Sequence, residues 1–351
     1  MLLPPRPRQV KGTCVLDEKK VYVKLKRSLY GLKQAGLLWN RLITEKLLAY
    51  GCKQLQSDPC LFTYHNDDGA MVNIALYVDD ILFCSTNDAI VDDILHYLQQ
   101  EFGEVNEVTD GASHLGLFIE RLHDGSIKLS QPGYILKILR ELRMEHLLGV
   151  TSVPTPMEPG GEPKHIDRTP VDISEYRKII GLLMYVAIHT RPDILFAVSY
   201  LATKLASPTA YHKKQALRVV KYLAGTPTLG LTFSPHGPIE LFGYVDASYL
   251  AHNDAKGHTG MSFSIGEGNA AFYSRSFKQK LVGRSSTEAE IQALDQAVVE
   301  VEWLRWLLFE LSYVHFNPTI NFKTIPLVSK SQKVQQMLLR ELDTMQCGIS
   351  M

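Results

Sequence analysis

Two adjacent aspartates in an apolar stretch are the residues best suited to chemistry. Tyr77-Val78-Asp79-Asp80 joins two β-prone runs, residues 71–76 and 81–84. A hairpin there would hold two carboxylates close together, and such charges repel each other unless a cation lies between them. Mg²⁺ prefers oxygen ligands, and paired ions can activate a hydroxyl and stabilise the leaving oxygens in phosphoryl transfer. The alternative is that Asp-Asp is simply a favourable turn dipeptide.

The elements around this pair indicate an α+β unit. Residues 21–25 alternate as a strand does, and residues 37–48 and 90–102 carry apolar side chains at helical spacing. Residues 154–174 are crowded with Pro, Gly and charge and have no periodicity, which is typical of an interdomain linker. We therefore expect the pair to lie in a hairpin between two helices.

The second half of the chain predicts a helical segment and then another α/β unit. Residues 176–223 are mostly helical in pattern, with Pro192 and Asp193 at a helix start. The predicted strands and the helix that follows them are residues 241–247, 260–265, 270–276 and 286–311. Ser286 or Thr287 is the predicted N-cap of that helix.

Composition limits the classes of protein. The 351 residues carry 37 Lys+Arg and 37 Asp+Glu, so any binding of nucleic acid must come from local patches. The five cysteines form no CxxC pair, which fits a reducing compartment and gives no zinc framework. No apolar run approaches the roughly 18 residues of a membrane span, and a secretion signal is absent. We expect a cytoplasmic or nuclear protein that is not secreted and does not bind membranes.

Several ordered segments resemble the reverse transcriptases of copia-type LTR retrotransposons. VKLKRSLYGLKQAGLLW, residues 23–39, is similar to the family's KLxxSLYGLKQAPRxW, with Gly36 and Leu37 in place of Pro and Arg. LYVDD at residues 76–80 matches as it stands. The further matches are LG at 115–116, LSQ at 129–131, YI at 134–135 and VPTPM at 153–157. The resemblance implies an RNA-directed DNA polymerase with a palm and a thumb.

The resemblance also implies roles for individual side chains. Asp79 and Asp80 would bind Mg²⁺, with Mn²⁺ as the alternative ion. The nucleotide and primer contacts would come from Tyr77, Val78, Tyr30, Gly31, Lys33 and Gln34. The nucleic-acid backbone would be met by Lys24, Lys26 and Arg27. For these cations the alternatives are a solvated helix face at Lys33 and a charged strand edge.

Three segments beyond the linker resemble the family's connection, YRxxxGxLxYLxxTRPDI…RVLRYLxGT. They are YRKIIG at 176–181, TRPDI at 190–194 and RVVKYLAGT at 218–226. A structural role is favoured for this part. The alternative is a phosphate-facing stripe formed by His212, Lys213, Lys214, Arg218 and Lys221.

The last unit resembles the family's RNase H. GYVDAS at 243–248 and RSSTEAE at 284–290 are similar to its DADW and SSTEAEY motifs. The resemblance implies that Asp246 and Glu290 hold Mg²⁺ and activate water against the RNA strand of a hybrid. The hybrid backbone would face Lys278, Lys280 and Arg284. The alternative for Glu290 is ordinary stabilisation of a helix start.

Two departures from the family pattern bear on activity. The chain starts too late to contain the family's VDVxxAFL motif, which carries the first catalytic aspartate. Residues 319–331, where a third RNase H carboxylate is expected, contain no aspartate. We expect a palm and thumb without most of the fingers at 1–153, a linker at 154–175, a helical connection at 176–235 and an RNase H-like domain, incomplete at its C-terminal end, at 236–351.

The expected function is that of a reverse transcriptase fragment with an RNase H-like domain. Its partners would be an RNA template, a DNA primer, an RNA–DNA hybrid and other Pol chains, in a cytoplasmic virus-like particle or in the nucleus. The alternative is a catalytically inactive remnant that binds nucleic acid. An unrelated phosphohydrolase would need its own nucleophile motif, and the sequence offers none.

Overall fold

The chain folds into two compact units. The computed structural model describes residues 14–17, 20–23, 28–29, 31–103, 105–106, 113–150, 153–158, 162–163, 165–237, 239–266, 268–313 and 322–323. The first unit comprises Met1–Val108 with Trp306–Val314, and the second comprises Thr109–Arg305 with His315–Met351. Within the described residues, every helix is too short or too polar to cross a lipid bilayer.

The first unit contains a two-stranded ribbon and a four-stranded meander with two helices. Its elements are β1 Cys14–Asp17, β2 Lys20–Val23, α1 Ala35–Tyr50, β3 Lys53–Gln54, β4 Leu61–His65, β5 Met71–Tyr77, β6 Asp80–Ser85 and α2 Asp88–Phe102. The meander has the order β3-β4-β5-β6, and each neighbouring pair is antiparallel. The predicted hairpin and both predicted helices are confirmed. The predicted strand at 21–25 is confirmed up to Val23, and its last two residues lie outside the described residues.

Burial explains these elements. Along β5 the buried side chains alternate at Val72, Ile74 and Leu76, so one face of the strand packs on the core. On α2, buried Ile90, Ile94, Leu98 and Phe102 recur every fourth residue, as an amphipathic helix requires. Helix α2 begins where the Asn87 side chain accepts a hydrogen bond from the Ala89 N–H at 3.0 Å. The apolar spacing of the sequence therefore records the buried faces directly.

The second unit begins with another antiparallel sheet and a helical core. Its elements are β7 Ser113–His114, β8 Leu117–Arg121, β9 Ile127–Ser130, α3 Pro132–Glu141, a 3-10 turn Glu145–Leu147, α4 Ile173–His189, a 3-10 turn Pro192–Ile194, α5 Leu195–Ala202, α6 Ala210–Gly225 and β10 Leu231–Phe233. The sheet order is β10-β9-β8-β7. Buried side chains of α3 share one core with those of α4, α5 and α6. The helical prediction is confirmed, and the predicted domain boundaries remain predictions.

A buried arginine explains two segments of the helical part. Arg191 is only 1% exposed. Its guanidinium donates to both carboxylate oxygens of Asp193, at 2.9 and 2.8 Å, and to the carbonyl and hydroxyl oxygens of Thr226, both at 2.8 Å. These bonds connect residues 191–193 to Thr226, the residue that follows α6. Because a buried charge is tolerated only when it is fully paired, these residues are held together as a set.

The last part of the second unit is a mixed sheet with one long helix. Its elements are β11 Leu241–Ser248, β12 His258–Ile265, β13 Ala271–Lys278, α7 Ser286–Glu310 and β14 Phe322–Lys323. The order is β13-β12-β11-β14, with β11, β12 and β13 antiparallel and β14 parallel to β11. The three predicted strands and the predicted helix are confirmed.

Candidate active sites

The hairpin tip carries a strained backbone. Tyr77 pairs with Asp80, which leaves Val78 and Asp79 as a two-residue loop. Val78 has a φ of 54°, in the left-handed region. Glycine usually takes the first position of a hairpin loop that needs a positive φ, and a β-branched residue there costs about 1–3 kcal/mol. Such a turn persists only when its surroundings hold it in place.

Trp39 of α1 provides that hold. Its indole N–H donates to the carbonyl oxygen of Val78 at 2.6 Å. The Trp39 ring meets Phe102 of α2 edge-on, with 5.2 Å between centroids. Sequence reasoning placed Trp39 in a family motif but gave it no role. A contact between residues so far apart in the chain leaves no local pattern to detect.

The hairpin presents its functional groups to solvent. Tyr77 and Val78 are 60% and 58% exposed, and both aspartates are half-buried. Among the residues that the structure describes, no cluster of three or more His, Cys, Asp or Glu side chains is present. The pair therefore offers two carboxylates from one turn, without a third ligand from the described part of the chain.

The other residues predicted near the nucleotide are only partly described. Gly31, Lys33 and Gln34 are exposed in the turn that leads into α1. The Gln34 side chain makes no capping hydrogen bond at the helix start. Four of the predicted contact residues lie outside the described residues: Lys24, Lys26, Arg27 and Tyr30. The structure brings Trp39 to the hairpin but does not join Lys33 or Gln34 to it.

The second unit brings Asp246 and Glu290 together. Asp246 is exposed near the end of β11, and Glu290 lies early in α7 with only 8% of its surface exposed. The backbone N–H of Ala247 donates to the Glu290 carboxylate. Burial, and then the nearby charge of Asp246, raise the pKa of Glu290. Asp246 is thus close enough to oppose the ionisation of Glu290.

One oxygen of Glu290 is left without a partner. Its Oε2 is buried and accepts no hydrogen bond from the described residues. An unpaired buried carboxylate oxygen beside a second carboxylate is costly, and an oxygen-seeking cation would relieve both costs. The pair therefore fits a Mg²⁺ site by its donor chemistry and by this orphaned oxygen.

The start of α7 is stabilised by residues other than Glu290. The Ser285 hydroxyl accepts from the Glu288 N–H at 3.2 Å, and the Glu288 carboxylate accepts from the Arg284 N–H at 2.7 Å. Ser285 therefore caps the helix, and the prediction of Ser286 or Thr287 as the cap was wrong. Because Glu288 supplies the acidic side chain at the helix start, Glu290 is not needed for that role.

Gln279 was missed as a positioning residue, since the sequence suggested only a cationic loop around it. Gln279 is 4% exposed, and its amide donates to the Thr259 hydroxyl at 3.1 Å and to the Ala289 carbonyl at 2.8 Å. It thereby joins β12 to the residue before Glu290. Of the predicted cations, Lys278 forms a 2.6 Å ion pair with Asp254. Lys280 and Arg284 are exposed beside α7.

Comparisons with known proteins identify the family of the chain. Residues 8–159 match the family model described as "Reverse transcriptase (RNA-dependent DNA polymerase)". The transposon Ty5-1 protein of Saccharomyces cerevisiae is 31% identical over 280 residues, covering 78% of this chain and 87% of that protein. The chain belongs to the copia-type retrotransposon Pol family. This Pol-family chain is also 34% identical over 297 residues to the Pol polyprotein from transposon RE1 of Arabidopsis thaliana, covering 84% of the chain.

The Pol-family chain spans about 20% of the length of the RE1 polyprotein. It spans about 23% of the TNT 1-94 Pol polyprotein of Nicotiana tabacum, to which it is 30% identical over 317 residues. Among solved structures it is similar to foamy viral protease-reverse transcriptase in complex with dsDNA, at 15% identity and a TM-score of 0.44, covering 89% of this chain and 54% of that one.

Proposed function

We propose that this chain is the reverse transcriptase portion of a copia-type Pol protein and that it extends a DNA primer on an RNA template. The observation that carries the proposal is the hairpin, in which Trp39 bonds to Val78 at a φ of 54° and two half-buried aspartates lie side by side. Strain retained at such a turn is typical of functional sites. Asp79 and Asp80 would hold the metal ions, and Tyr77 and Val78 would lie beside the primer end.

Bound at these carboxylates, Mg²⁺ or Mn²⁺ would activate the primer hydroxyl and stabilise the leaving oxygens. The chain's own contribution is to fix the two aspartates before substrate arrives. The bond from Trp39 to Val78 serves this purpose, because it ties the turn to α1 and, through Phe102, to α2.

We propose further that the second unit is RNase H-like. Asp246 and Glu290 would hold Mg²⁺, and the unpartnered Oε2 of Glu290 supports its role as a ligand. The exposed cations Lys280 and Arg284 would meet the backbone of an RNA–DNA hybrid.

A second candidate function is binding of nucleic acid without catalysis. The observation that favours it is the absence, within the described ranges, of any group of three metal-ligating side chains. Two carboxylates alone would hold Mg²⁺ more weakly than a complete set of ligands.

Primer extension on an RNA template tests the first proposal. The matched control for Asp79→Asn is Asp67→Asn, because Asp67 and Asp68 form a second Asp-Asp pair in the turn between β4 and β5 of the same sheet. We expect D79N to lose about 100-fold or more of the incorporation, equivalent to about 2.7 kcal/mol, while D67N retains it. Equal incorporation by wild type and D79N would contradict the site. Hybrid binding without incorporation by wild type would favour the second candidate.

Cleavage of an RNA–DNA hybrid tests the RNase H-like proposal. Glu290→Gln should abolish Mg²⁺-dependent cleavage, whereas Glu288→Gln should retain it, because Glu288 serves the helix start instead. Cleavage that survives E290Q would refute the assignment of Glu290.

A further inference from the structure

One face of α6 carries three cations. Lys214, Arg218 and Lys221 are spaced four and three positions apart, which places them on the same side of a helix. The alternative that the sequence offered for this segment was a wider stripe that also contained His212 and Lys213. His212 is instead buried, with its ring 3.0 Å from the Thr209 hydroxyl, and Lys213 forms a 2.6 Å ion pair with Glu175. The cationic surface is therefore narrower than that stripe.

This face borders a small cleft of about 90 Å³, lined by Val153, Glu158, Lys214, Gln215, Arg218 and Lys221. At about 30 Å³ per water molecule, the cleft has room for about three waters. That volume has room for a small anion. Lys214 and Lys221 are exposed beside it.

Thr155 and Gln215 make hydrogen bonds that fix the charged side chains of the cleft. The guanidinium of Arg218 donates to the Thr155 carbonyl and hydroxyl oxygens, each at 3.2 Å, which fixes its orientation. Gln215 is 2% exposed and donates from Nε2 to Glu158, while its Oε1 is buried and has no partner among the described residues. The walls of the cleft are thus ordered, and one of its buried polar atoms is unsatisfied.

The Glu158 carboxylate, which lines the cleft, makes only long contacts there. One carboxylate oxygen of Glu158 lies 3.7 Å from Arg218 Nη1, and the other accepts from Gln215 at 3.2 Å. Charge-assisted hydrogen bonds are normally about 2.7–2.9 Å long. The Glu158 side chain is also 45% exposed. Three cations therefore surround a carboxylate that engages one of them at long range.

We propose that this cleft binds a phosphate of a nucleic-acid backbone and that Glu158 competes internally for it. Lys214 and Lys221 are about 10.5 Å apart along the helix axis, at 1.5 Å per residue, and Arg218 lies between them, so the three cations can meet successive phosphates of one strand. The phosphate on Arg218 would displace the Glu158 carboxylate. The site deepens the proposed function, which supplies the RNA–DNA hybrid as the nucleic acid.

Salt-dependent binding of a labelled RNA–DNA hybrid tests the proposal. Fluorescence anisotropy of the full chain in EDTA measures affinity without any contribution from metal sites, so failure of catalysis and failure of this site are distinguishable. We expect Lys214→Gln and Lys221→Gln each to lower the slope of log K against log salt by about 1. Glu158→Gln should tighten binding about twofold to fivefold, because a competing exposed ion pair is removed.

Lys213→Gln is the matched control, since it removes the same charge from the neighbouring position on another face of α6. It should leave the slope at the wild-type value. Equal slopes for K213Q, K214Q and K221Q, or an unchanged affinity of E158Q, would overturn the proposal. A wild-type chain that does not bind the hybrid at low salt would also overturn it. Displacement of the hybrid by poly-glutamate more readily than by unlabelled hybrid would do the same, because it would indicate an acidic protein partner.

Discussion

The hairpin tip and the end of β11 present carboxylates in opposite ways. Asp79 and Asp80 are half-buried neighbours on one turn, where solvent screens their charges. Asp246 and Glu290 come from a strand and a helix, and Glu290 is only 8% exposed. The energetic cost of the first site is therefore the strained backbone conformation of Val78. The cost of the second pair lies first in the burial of the Glu290 carboxylate and then in the nearby charge of Asp246.

The two sites also differ in what lies behind them. The strand that leads into the hairpin packs Val72, Ile74 and Leu76 into an apolar core. In the second unit, buried polar side chains lie in the sheet and at its end, among them His258 of β12 and Gln279, the residue after β13. We infer that packing maintains the first site, whereas the state of protonation affects the second.

A chain of buried imidazoles runs through the second unit. Nε2 of His252 lies 3.0 Å from Nδ1 of His258, whose Nε2 lies 2.8 Å from the Ser276 hydroxyl. Tyr200 of α5 stacks on His252 with 5.2 Å between centroids. Burial lowers the pKa of both histidines to about 4, and His252 faces Lys278, Asp254 and Lys204 as well. A neutral pair supplies one donor and one acceptor, so full protonation would place two donors face to face.

The largest expected effect is therefore a loss of stability of the second unit in acid. Because the unfolded histidines take up protons near pH 6.5 and the folded ones near pH 4, stability is complete above pH 6.5 and falls as pH decreases toward 4. Each histidine should contribute up to about 3.5 kcal/mol to the loss, at about 1.4 kcal/mol for each of about 2.5 pKa units. Denaturant unfolding between pH 7 and pH 4, followed by circular dichroism, measures it.

His258→Gln should flatten that pH dependence while lowering stability at pH 7. The exposed His146, in the 3-10 turn after α3, provides the control, and His146→Gln should follow the wild-type curve. If H258Q loses stability in acid as steeply as wild type, the imidazole chain is not responsible.

The next largest effect concerns Glu290. Its folded pKa is raised, so the ionised carboxylate opposes folding once the pH exceeds that value, and the opposition disappears below the ordinary pKa of 4.5. In EDTA at pH 7, Glu290→Gln should raise the free energy of unfolding by about 1–2 kcal/mol, because it removes a charged, unsatisfied buried oxygen. Mg²⁺ should then stabilise wild type but not E290Q.

Glu288→Gln should change stability in the opposite direction. It weakens the bond to the Arg284 N–H at the start of α7 and should cost about 0.5–1 kcal/mol with or without Mg²⁺. A variant E290Q that is less stable than wild type in EDTA would show that Glu290 is structurally satisfied, and the contrast between the two sites would fail.

Local patterns account for what could be predicted. Alternation along β5 and fourfold spacing along α2 record burial, so the hairpin and its flanking helices follow from them. The three hydroxyls at 285–287 all suit an N-cap, and only the path of the preceding loop selects Ser285. Helical spacing alone would have separated Lys213 from Lys214 on α6.

The remaining features depend on contacts between distant segments. Nothing near Trp39 indicates that its indole bonds to Val78, and nothing near Arg191 indicates that it also binds Thr226. The resemblance identified these residues as motif members without a physical reason. The fold supplies the reason, since it brings each of these donors to a carbonyl oxygen of a distant segment.

The last prediction concerns the hydrogen bond that fixes the hairpin. Trp39→Phe removes one hydrogen bond but keeps the aromatic contact with Phe102, so it should cost about 1 kcal/mol of stability. Val78→Gly removes the strain of the positive φ, so the turn should keep its shape without the hydrogen bond from Trp39. We therefore expect the penalty of W39F, in unfolding and in primer extension, to be smaller in the V78G background. Additive effects would mean that the indole bond and the strained turn are independent, and that packing of β5 alone positions Asp79 and Asp80.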